Sequence, residues 1–151
     1  MIQRIQSVYL LLVTLLLIAA MCLPVGSFVA PDGTLLSEFT PLGITLPGGT
    51  FHYTWGLLAI LLLSTLIAGC TLLLYRNRML QVRMVIFNSI LLAGYYVVFV
   101  VFMLLLKSDL GAGYHIGWAL CLPAVSLILN YLAFRAIYRD EVMVRAADRL
   151  R

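Results

Sequence analysis

The chain has 151 residues, of which 64% are hydrophobic and only 11% are charged. Soluble domains carry about a quarter charged residues, and a soluble globule of this length would expose large apolar patches to water. The composition therefore excludes an ordinary soluble fold and favours one membrane domain over residues 1–151. The net charge is +4. The basic residues behind it are distributed as in a membrane protein, so we expect no nucleic-acid partner.

The first predicted helix covers residues 5–25, an apolar run long enough to cross a bilayer. Arg4 before this run fits the start of a secretory signal, but a small-x-small cleavage site is missing where the run ends. Met21 is too bulky for the residue before a lipoprotein cysteine at Cys22. We therefore expect an uncleaved first transmembrane helix.

The loop over residues 26–52 is the longest connection between the apolar runs. Turn signals at 31–33 and 47–49 accompany two short runs, 34–39 and 43–46, that are rich in Thr, Ile, Leu and Phe. We expect these two runs to pair as a small β-hairpin. The loop is interpreted as a cap over the bundle, and the alternative is a binding surface for an external partner.

Three further apolar runs predict transmembrane helices over residues 53–75, 84–106 and 114–138. Aromatic residues at the borders of these runs are typical of the interfacial belts of membrane helices. Pro123 lies inside the last run and should bend it, because proline removes a backbone donor and its ring clashes with the preceding turn. The predicted fold class is an all-α membrane protein, a bundle of four transmembrane helices.

The basic residues predict the orientation of the bundle, since all but Lys107 fall on one side of the predicted spans. The long loop on the opposite side contains Asp32 and Glu38 but no lysine or arginine. The positive-inside rule therefore predicts that both termini lie in the cytoplasm and that the other two loops lie outside. The expected partners on the cytoplasmic side are anionic lipid heads or a protein, and the candidate contacts are Arg4, Arg76, Arg78, Arg83, Arg135, Arg139, Arg145 and Arg149.

The tail over residues 139–151 has apolar residues at helical spacing, among them Val142 and Met143. Glu141 and Arg145 form a favourable i,i+4 pair on the other face. We predict a cytoplasmic amphipathic helix. Its apolar stripe could rest on the bilayer, pack under the bundle or dock a partner.

The predicted spans carry no charged residue near their middle, which argues against a proton relay, an ion pathway or a charged catalytic pair. Asn88 and Asn130 each lie five residues inside an arginine, about 7 Å within the cytoplasmic boundary. A direct or shared hydrogen bond between them would join the third and fourth helices. We predict an inner-leaflet polar cluster that fixes helix register, with a ligand site as the alternative, formed by Gln3, Gln6, Asn88 and Asn130.

The cysteines and histidines offer no metal-binding pattern. Cys22, Cys70 and Cys121 lack C-x-x-C spacing, and His52 and His115 have no third ligand at a suitable spacing. We expect free thiols packed in apolar helices, although an oxidising exterior would permit a disulfide between Cys22 and Cys121. The sequence therefore predicts no catalytic, metal or cofactor site.

The first ten residues, MIQRIQSVYL, resemble the start of the domain of unknown function 4293 family, a family of bacterial membrane proteins typical of Bacteroidota. The closing residues, RDEVMVRAADRLR, resemble the ending of the same family. The chain also shares the length and four-helix layout of that family. The resemblance implies an inner-membrane location and assigns no activity.

Polar chemistry gathers on the cytoplasmic side, so we expect a non-enzymatic accessory or scaffold subunit that works through that face. Its partner would be another membrane protein or a second copy. The alternative is a small oligomeric transporter or channel, which would need a polar cavity at mid-membrane depth. A third possibility, a membrane-embedded enzyme, lacks a serine–histidine, paired-carboxylate or metal constellation in this sequence.

Overall fold

Four long helices build the molecule. The computed structural model describes residues 2–151, with side chains from Arg4 onward. All four helices are long and apolar enough to cross a membrane. Each packs against its neighbours in the chain, and the first packs against the last, so the bundle forms a closed ring. The helices are α1 (Ile2–Cys22), α2 (Trp55–Leu73), α3 (Arg78–Leu110) and α4 (Cys121–Arg149).

The four predicted helices are confirmed, but the bounds of α3 are wider than the apolar run at 84–106. Helix α3 has 33 residues and continues through the polar residues at both ends of that run. Hydropathy marks only the part of a helix that suits lipid, whereas backbone hydrogen bonds extend a helix into water as well. Arg78 and Arg83 therefore lie inside α3, and the link from α2 shrinks to residues 74–77.

Helix α4 departs furthest from its predicted range of 114–138. Its first residues are replaced by a strand and a short 3-10 helix (Trp118–Leu120), and α4 itself begins at Cys121. Pro123 thus lies in the first turn, where its missing N–H would have no intrahelical partner, so the reason for expecting a bend does not hold. The predicted tail helix is the last part of α4, which runs unbroken to Arg149.

A five-stranded antiparallel sheet covers the end of the bundle at which α1 and α3 end. The hairpin predicted for 34–39 and 43–46 is confirmed, since Phe39 pairs with Ile44 there. The sequence interpretation missed the remaining three strands. The strands, in the spatial order β4-β3-β2-β1-β5, are β1 (Gly26–Val29), β2 (Leu35–Phe39), β3 (Gly43–Thr45), β4 (Phe51–Tyr53) and β5 (Gly113–Ile116).

Strand β5 joins two loops that are far apart in the chain. It pairs with β1 from Gly26 opposite Ile116 to Val29 opposite Gly113. Gly117 follows at a close approach, because an added Cβ would lie 2.7 Å from the carbonyl oxygen of Val25. A residue without a side chain is therefore required where the chain turns from β5 into α4.

Aromatic side chains fasten the sheet to the bundle. Phe28 and Phe39 are fully buried on the inner face of the sheet, with ring centroids 6.0 Å apart. The centroid of Tyr114 lies 5.1 Å from Phe28, and Phe99 of α3 lies 5.9 Å from Phe39. Edge-to-face contacts of this kind add about 1 kcal/mol each to the burial of the rings. The sheet and the four helices therefore share one core.

The bundle has two different ends. The sheet end holds the five strands and the connections next to them. The terminal end holds the starts of α1 and α3, the link over residues 74–77 and the last part of α4. Between the two ends, large apolar side chains occupy the axis, among them Leu17, Leu61, Leu92 and Tyr95, each at most 1% exposed.

Candidate functional site

Asn88 and Asn130 lie at the same depth in the bundle. An ion pair between Arg78 of α3 and Asp140 of α4, with 3.0 Å between the nitrogen Nη1 and the oxygen Oδ2, sets α3 beside α4. Each asparagine lies ten residues from that pair, toward the sheet end. Ten helical residues correspond to about 15 Å. Both side chains are buried, at 1% and 0% exposure.

Asn88 bonds to α2 rather than to Asn130. The hydroxyl of Ser64 donates a hydrogen bond to Oδ1 of Asn88, and Ser64 is itself fully buried. Among the described side chains, no partner satisfies Nδ2 of Asn88 or either polar atom of the Asn130 amide. The bond expected between the two asparagines is therefore replaced by one that joins α2 to α3.

Hairpin symmetry provides a signal that the sequence analysis missed. Ser64 and Asn88 each lie twelve residues from Arg76 at the centre of the α2–α3 hairpin. Thr71 and Gln81 each lie five residues from it, and the Gln81 side-chain nitrogen donates to the Thr71 carbonyl oxygen at 3.3 Å. Residues at equal distances from the turn lie at the same level in an antiparallel pair of helices. The level of both contacts could have been anticipated on that basis, but not which side chains face each other.

Gln6 does not join the two asparagines. Leu10, one turn further along α1, packs with Val85 and Ala133 in a buried apolar layer. Asn88 and Asn130 lie on the sheet side of that layer, whereas Gln6 lies on its terminal side, 4% exposed. The side chain of Gln3, the fourth member of the predicted cluster, lies outside the described residues.

The arginines of the terminal end divide into paired and unpaired groups. Arg78 pairs with Asp140, and Arg145 pairs with Glu141 at 3.0 Å within α4. The role of Asp140, which is 14% exposed and joins α3 to α4, was missed by the sequence analysis. The other predicted contacts are exposed and have no ion pair among the described side chains: Arg4, Arg76, Arg83, Arg135, Arg139 and Arg149.

The free part of α4, residues 142–149, is exposed along its length, although Met143 borders a groove with α1 and Val144 borders one with the start of α3. Residues 142–150 are all exposed, including Val142 at 49%, Met143 at 48% and Leu150 at 90%. Residues 142–149 of this stretch are helical, and eight helical residues are about 12 Å long. The apolar stripe predicted for the tail is thus present and uncovered by the rest of the chain.

The sheet end separates the two histidines. His52 lies on β4 at one edge of the sheet, and His115 lies on β5 at the other. Within residues 2–151, no group of three or more histidine, cysteine or acidic side chains is placed to hold a metal ion. Ser27 lies between Glu38 and His115 in register, but this row places serine rather than histidine in the middle, unlike a catalytic triad.

Tyr114 is the buried titratable group of the sheet end. Burial raises the pKa of its hydroxyl to about 12, since the charged form would lose solvent. The hydroxyl has no hydrogen-bond partner among the described side chains. It closes over Gly26, where an added Cβ would overlap the ring. This arrangement is one of packing and offers no chemistry.

The three cysteines lie on the outer surface of the bundle. Cys22, Cys70 and Cys121 are free thiols and exposed, so the expectation that they would be packed inside is wrong. Each lies on a helix whose outward face is apolar, where a thiol suits hydrocarbon as well as a protein core does.

A ring of four apolar helices with a fused sheet defines a protein whose helices are suited to a membrane. The sequence model of one family, described as Domain of unknown function (DUF4293), matches residues 2–150. The chain therefore belongs to that family, and the resemblance inferred from its two ends is confirmed. No curated protein matches the chain in sequence.

Proposed function

We propose that the protein is a non-enzymatic accessory or scaffold subunit of a bacterial inner membrane, and that it works through its terminal end. In this proposal the terminal end faces the cytoplasm and the sheet faces outward. The distribution of arginine supports this orientation. The sheet end covers residues 23–54 and 107–117, and Lys107 is the one basic residue other than histidine in these ranges.

The observation that carries the proposal is the free part of α4. Its apolar side chains are exposed on a helix that continues the membrane span and so projects away from the bilayer. Water is a poor solvent for Val142 and Met143, and each apolar side chain that a partner buries contributes about 1.5–3 kcal/mol. An amphipathic helix presented in this way suits a hydrophobic groove on another protein.

The filled axis of the bundle favours this role over the oligomeric transporter or channel for a single copy. Leucine and tyrosine side chains occupy the axis where a pore would need polar cavity walls. The buried polar side chains Ser64, Asn88 and Asn130 are uncharged and enclosed, which is the pattern of residues that set helix packing. Among the side chains from Arg4 onward, no pair of groups suited to acid–base or nucleophilic chemistry supports an enzyme.

Crosslinking in intact membranes, followed by purification and identification of the products, tests the proposal. We expect a second protein to be linked to the full-length chain. A stripe variant, Val142→Ser with Leu150→Ser, should lose that product because it removes apolar contact area. A control variant, Asp148→Ser with Arg149→Ser, changes the polar face of the same helix at constant net charge and should keep the product.

Two outcomes would contradict the proposal. Identical products from all three chains would show that the stripe is not the working surface. Products that contain only further copies of this chain would favour the oligomeric alternative instead.

A further inference from the structure

A groove of about 380 Å³ lies between α1 and α4 at the terminal end. Ile5 and Tyr9 of α1 form one wall, and Leu132 and Ala136 of α4 form the other. Arg135 and Arg139 lie along the same groove, between Leu132 toward the middle of the bundle and Met143 toward the terminus.

The two arginines of the groove are one helical turn apart, about 6 Å along the helix axis. Both are exposed, and neither has an ion pair among the described side chains. The nearest acid in the groove, Asp140, is already paired with Arg78. The groove therefore holds two positive charges without a counter-charge. Two neighbouring guanidinium groups suit bidentate contacts to phosphate oxygens.

The depth of the groove matches that of a lipid at the membrane border. Leu132 lies three residues deeper than Arg135, and Arg135 lies within the apolar run that crosses the membrane. An arginine at that depth extends toward the headgroup region while its aliphatic stem stays in hydrocarbon. The arginine heads and the apolar walls thus follow the order of a phospholipid, with the phosphate at the border and the acyl chain below it.

We propose that this groove is a binding site for one anionic phospholipid. Arg135 and Arg139 hold its phosphate, and an acyl chain lies along Tyr9 and Leu132. Basic pockets between transmembrane helices on the cytoplasmic side bind anionic headgroups in this manner. The inference rests on the proposed placement of the terminal end at the cytoplasmic leaflet, but the binding itself does not depend on a protein partner.

A second groove, between α3 and α4, serves as an internal comparison. It has a volume of about 600 Å³ and is lined by apolar and aromatic residues and by Ser89, without any arginine or lysine. It offers hydrocarbon contacts alone and would not distinguish one headgroup from another. The charge pair therefore makes the α1–α4 groove selective.

Native mass spectrometry of the purified full chain in mild detergent tests the site, with dioleoyl-phosphatidylglycerol and dioleoyl-phosphatidylcholine as probes. We expect one phosphatidylglycerol to be retained and phosphatidylcholine to bind more weakly. Arg135→Gln with Arg139→Gln should weaken phosphatidylglycerol binding roughly 30-fold, since each arginine near an anionic head contributes about one factor of five.

The control variant is Arg76→Gln with Arg83→Gln, which loses the same charge at the same end of the bundle but outside the groove. It should bind phosphatidylglycerol as the native chain does. A further variant, Ala136→Phe, fills the groove while it keeps both arginines, and it should also lose the lipid. Circular dichroism of each variant establishes that its helices are intact.

Several results would overturn the proposal. Equal losses in the groove and control variants would mean diffuse electrostatic attraction without a site. Equal binding of the two lipids would remove the role of the charge pair, and retention by Ala136→Phe would remove the groove. Competition by glycerol phosphate at concentrations near those of the lipid would mean that the site takes a free phosphate. The experiment uses purified protein, so its results do not depend on whether the proposed cytoplasmic partner and orientation are correct.

Discussion

Asn130 lies in the core of the bundle with both polar atoms of its amide unpaired among the described side chains. A buried amide without partners costs about 1–3 kcal/mol relative to one that is hydrogen-bonded. Asn88, at the same depth, recovers part of that cost through its bond to Ser64. Two residues of one type in one layer therefore make unequal contributions to stability.

Leucine substitutions should separate the two asparagines, because leucine branches at the same carbon as asparagine and has no polar atoms. Asn130→Leu is expected to raise the thermal denaturation midpoint in detergent, since it removes an unpaired amide. Asn88→Leu is expected to lower the midpoint by an amount that corresponds to about 0.6–1.7 kcal/mol, the range for a hydrogen bond between membrane helices.

Ser64→Ala serves as the control for Asn88→Leu, and the double variant should be no less stable than the Asn88→Leu variant alone. A fall in the midpoint for Asn130→Leu would show that its amide has a partner such as bound water. In that case the predicted polar cluster would be a hydrated or ligand-binding site rather than a set of contacts that fixes the helix register.

At the scale of single elements, the Arg78–Asp140 pair is the contact that ties the start of α3 to the extension of α4. Its side chains are 25% and 14% exposed, so the pair is shielded but not fully desolvated. The Arg145–Glu141 pair has the same 3.0 Å separation but lies within one helix, and its arginine is 62% exposed. The two ion pairs have equal separations but different exposure to solvent, so we expect them to contribute unequally to the stability of the fold.

Asp140→Asn should destabilise the folded chain by about 2 kcal/mol, because it leaves Arg78 shielded and without its counter-charge. Glu141→Gln should cost at most about 0.5 kcal/mol, as exposed i,i+4 pairs do. The exchange of both charges, Arg78→Asp with Asp140→Arg, should recover most of the loss. Thermal denaturation of the purified variants measures all three, and similar losses for Asp140→Asn and Glu141→Gln would contradict the assignment.

The elements differ in how far the sequence could predict them. Each of the four helices is marked by its own apolar run, because a membrane span is selected by solvent alone. The β2–β3 hairpin is also local, with turn signals at both sides. Strand β5 was missed because its pairing with β1 joins residues nearly ninety positions apart in the chain. Its aromatic residues also resemble the border of a helix, and periodicity carries no information on such distant pairing.

Only part of the candidate site could be predicted from the sequence, for a similar reason. Sequence spacing gave Asn88 and Asn130 the same depth, since both were measured from arginines at one border. The partner of Asn88 depends on which face of α2 turns inward, and α2 is so uniformly apolar that periodicity does not mark an inner face. Gln6 was assigned by its distance from the terminus, but the apolar layer around Leu10 separates it from the asparagines.

At the scale of the whole molecule, the two ends have opposite character. The sheet end is covered by hydrogen-bonded strands and carries Asp32, Glu38 and Asp109 against Lys107. The terminal end carries the other nine basic residues and the free part of α4. A folded cap at one end and an uncovered helix at the other support a molecule whose contacts with partners are concentrated at the terminal end.

The proposed orientation predicts which end a membrane-impermeant maleimide can reach in intact bacterial cells. The native cysteines are first replaced by serine, since all three are exposed on the bundle surface. Thr50→Cys places a thiol in the loop before β4, and Ala147→Cys places one on the free part of α4; both positions are exposed. With the arginines inside, Thr50→Cys should be labelled in spheroplasts, whereas Ala147→Cys should be labelled only after the membrane is opened. The reverse pattern would place the arginine-rich end outside and would remove the basis for a cytoplasmic partner. Labelling of both thiols in sealed cells would contradict the three spans that lie between the two positions.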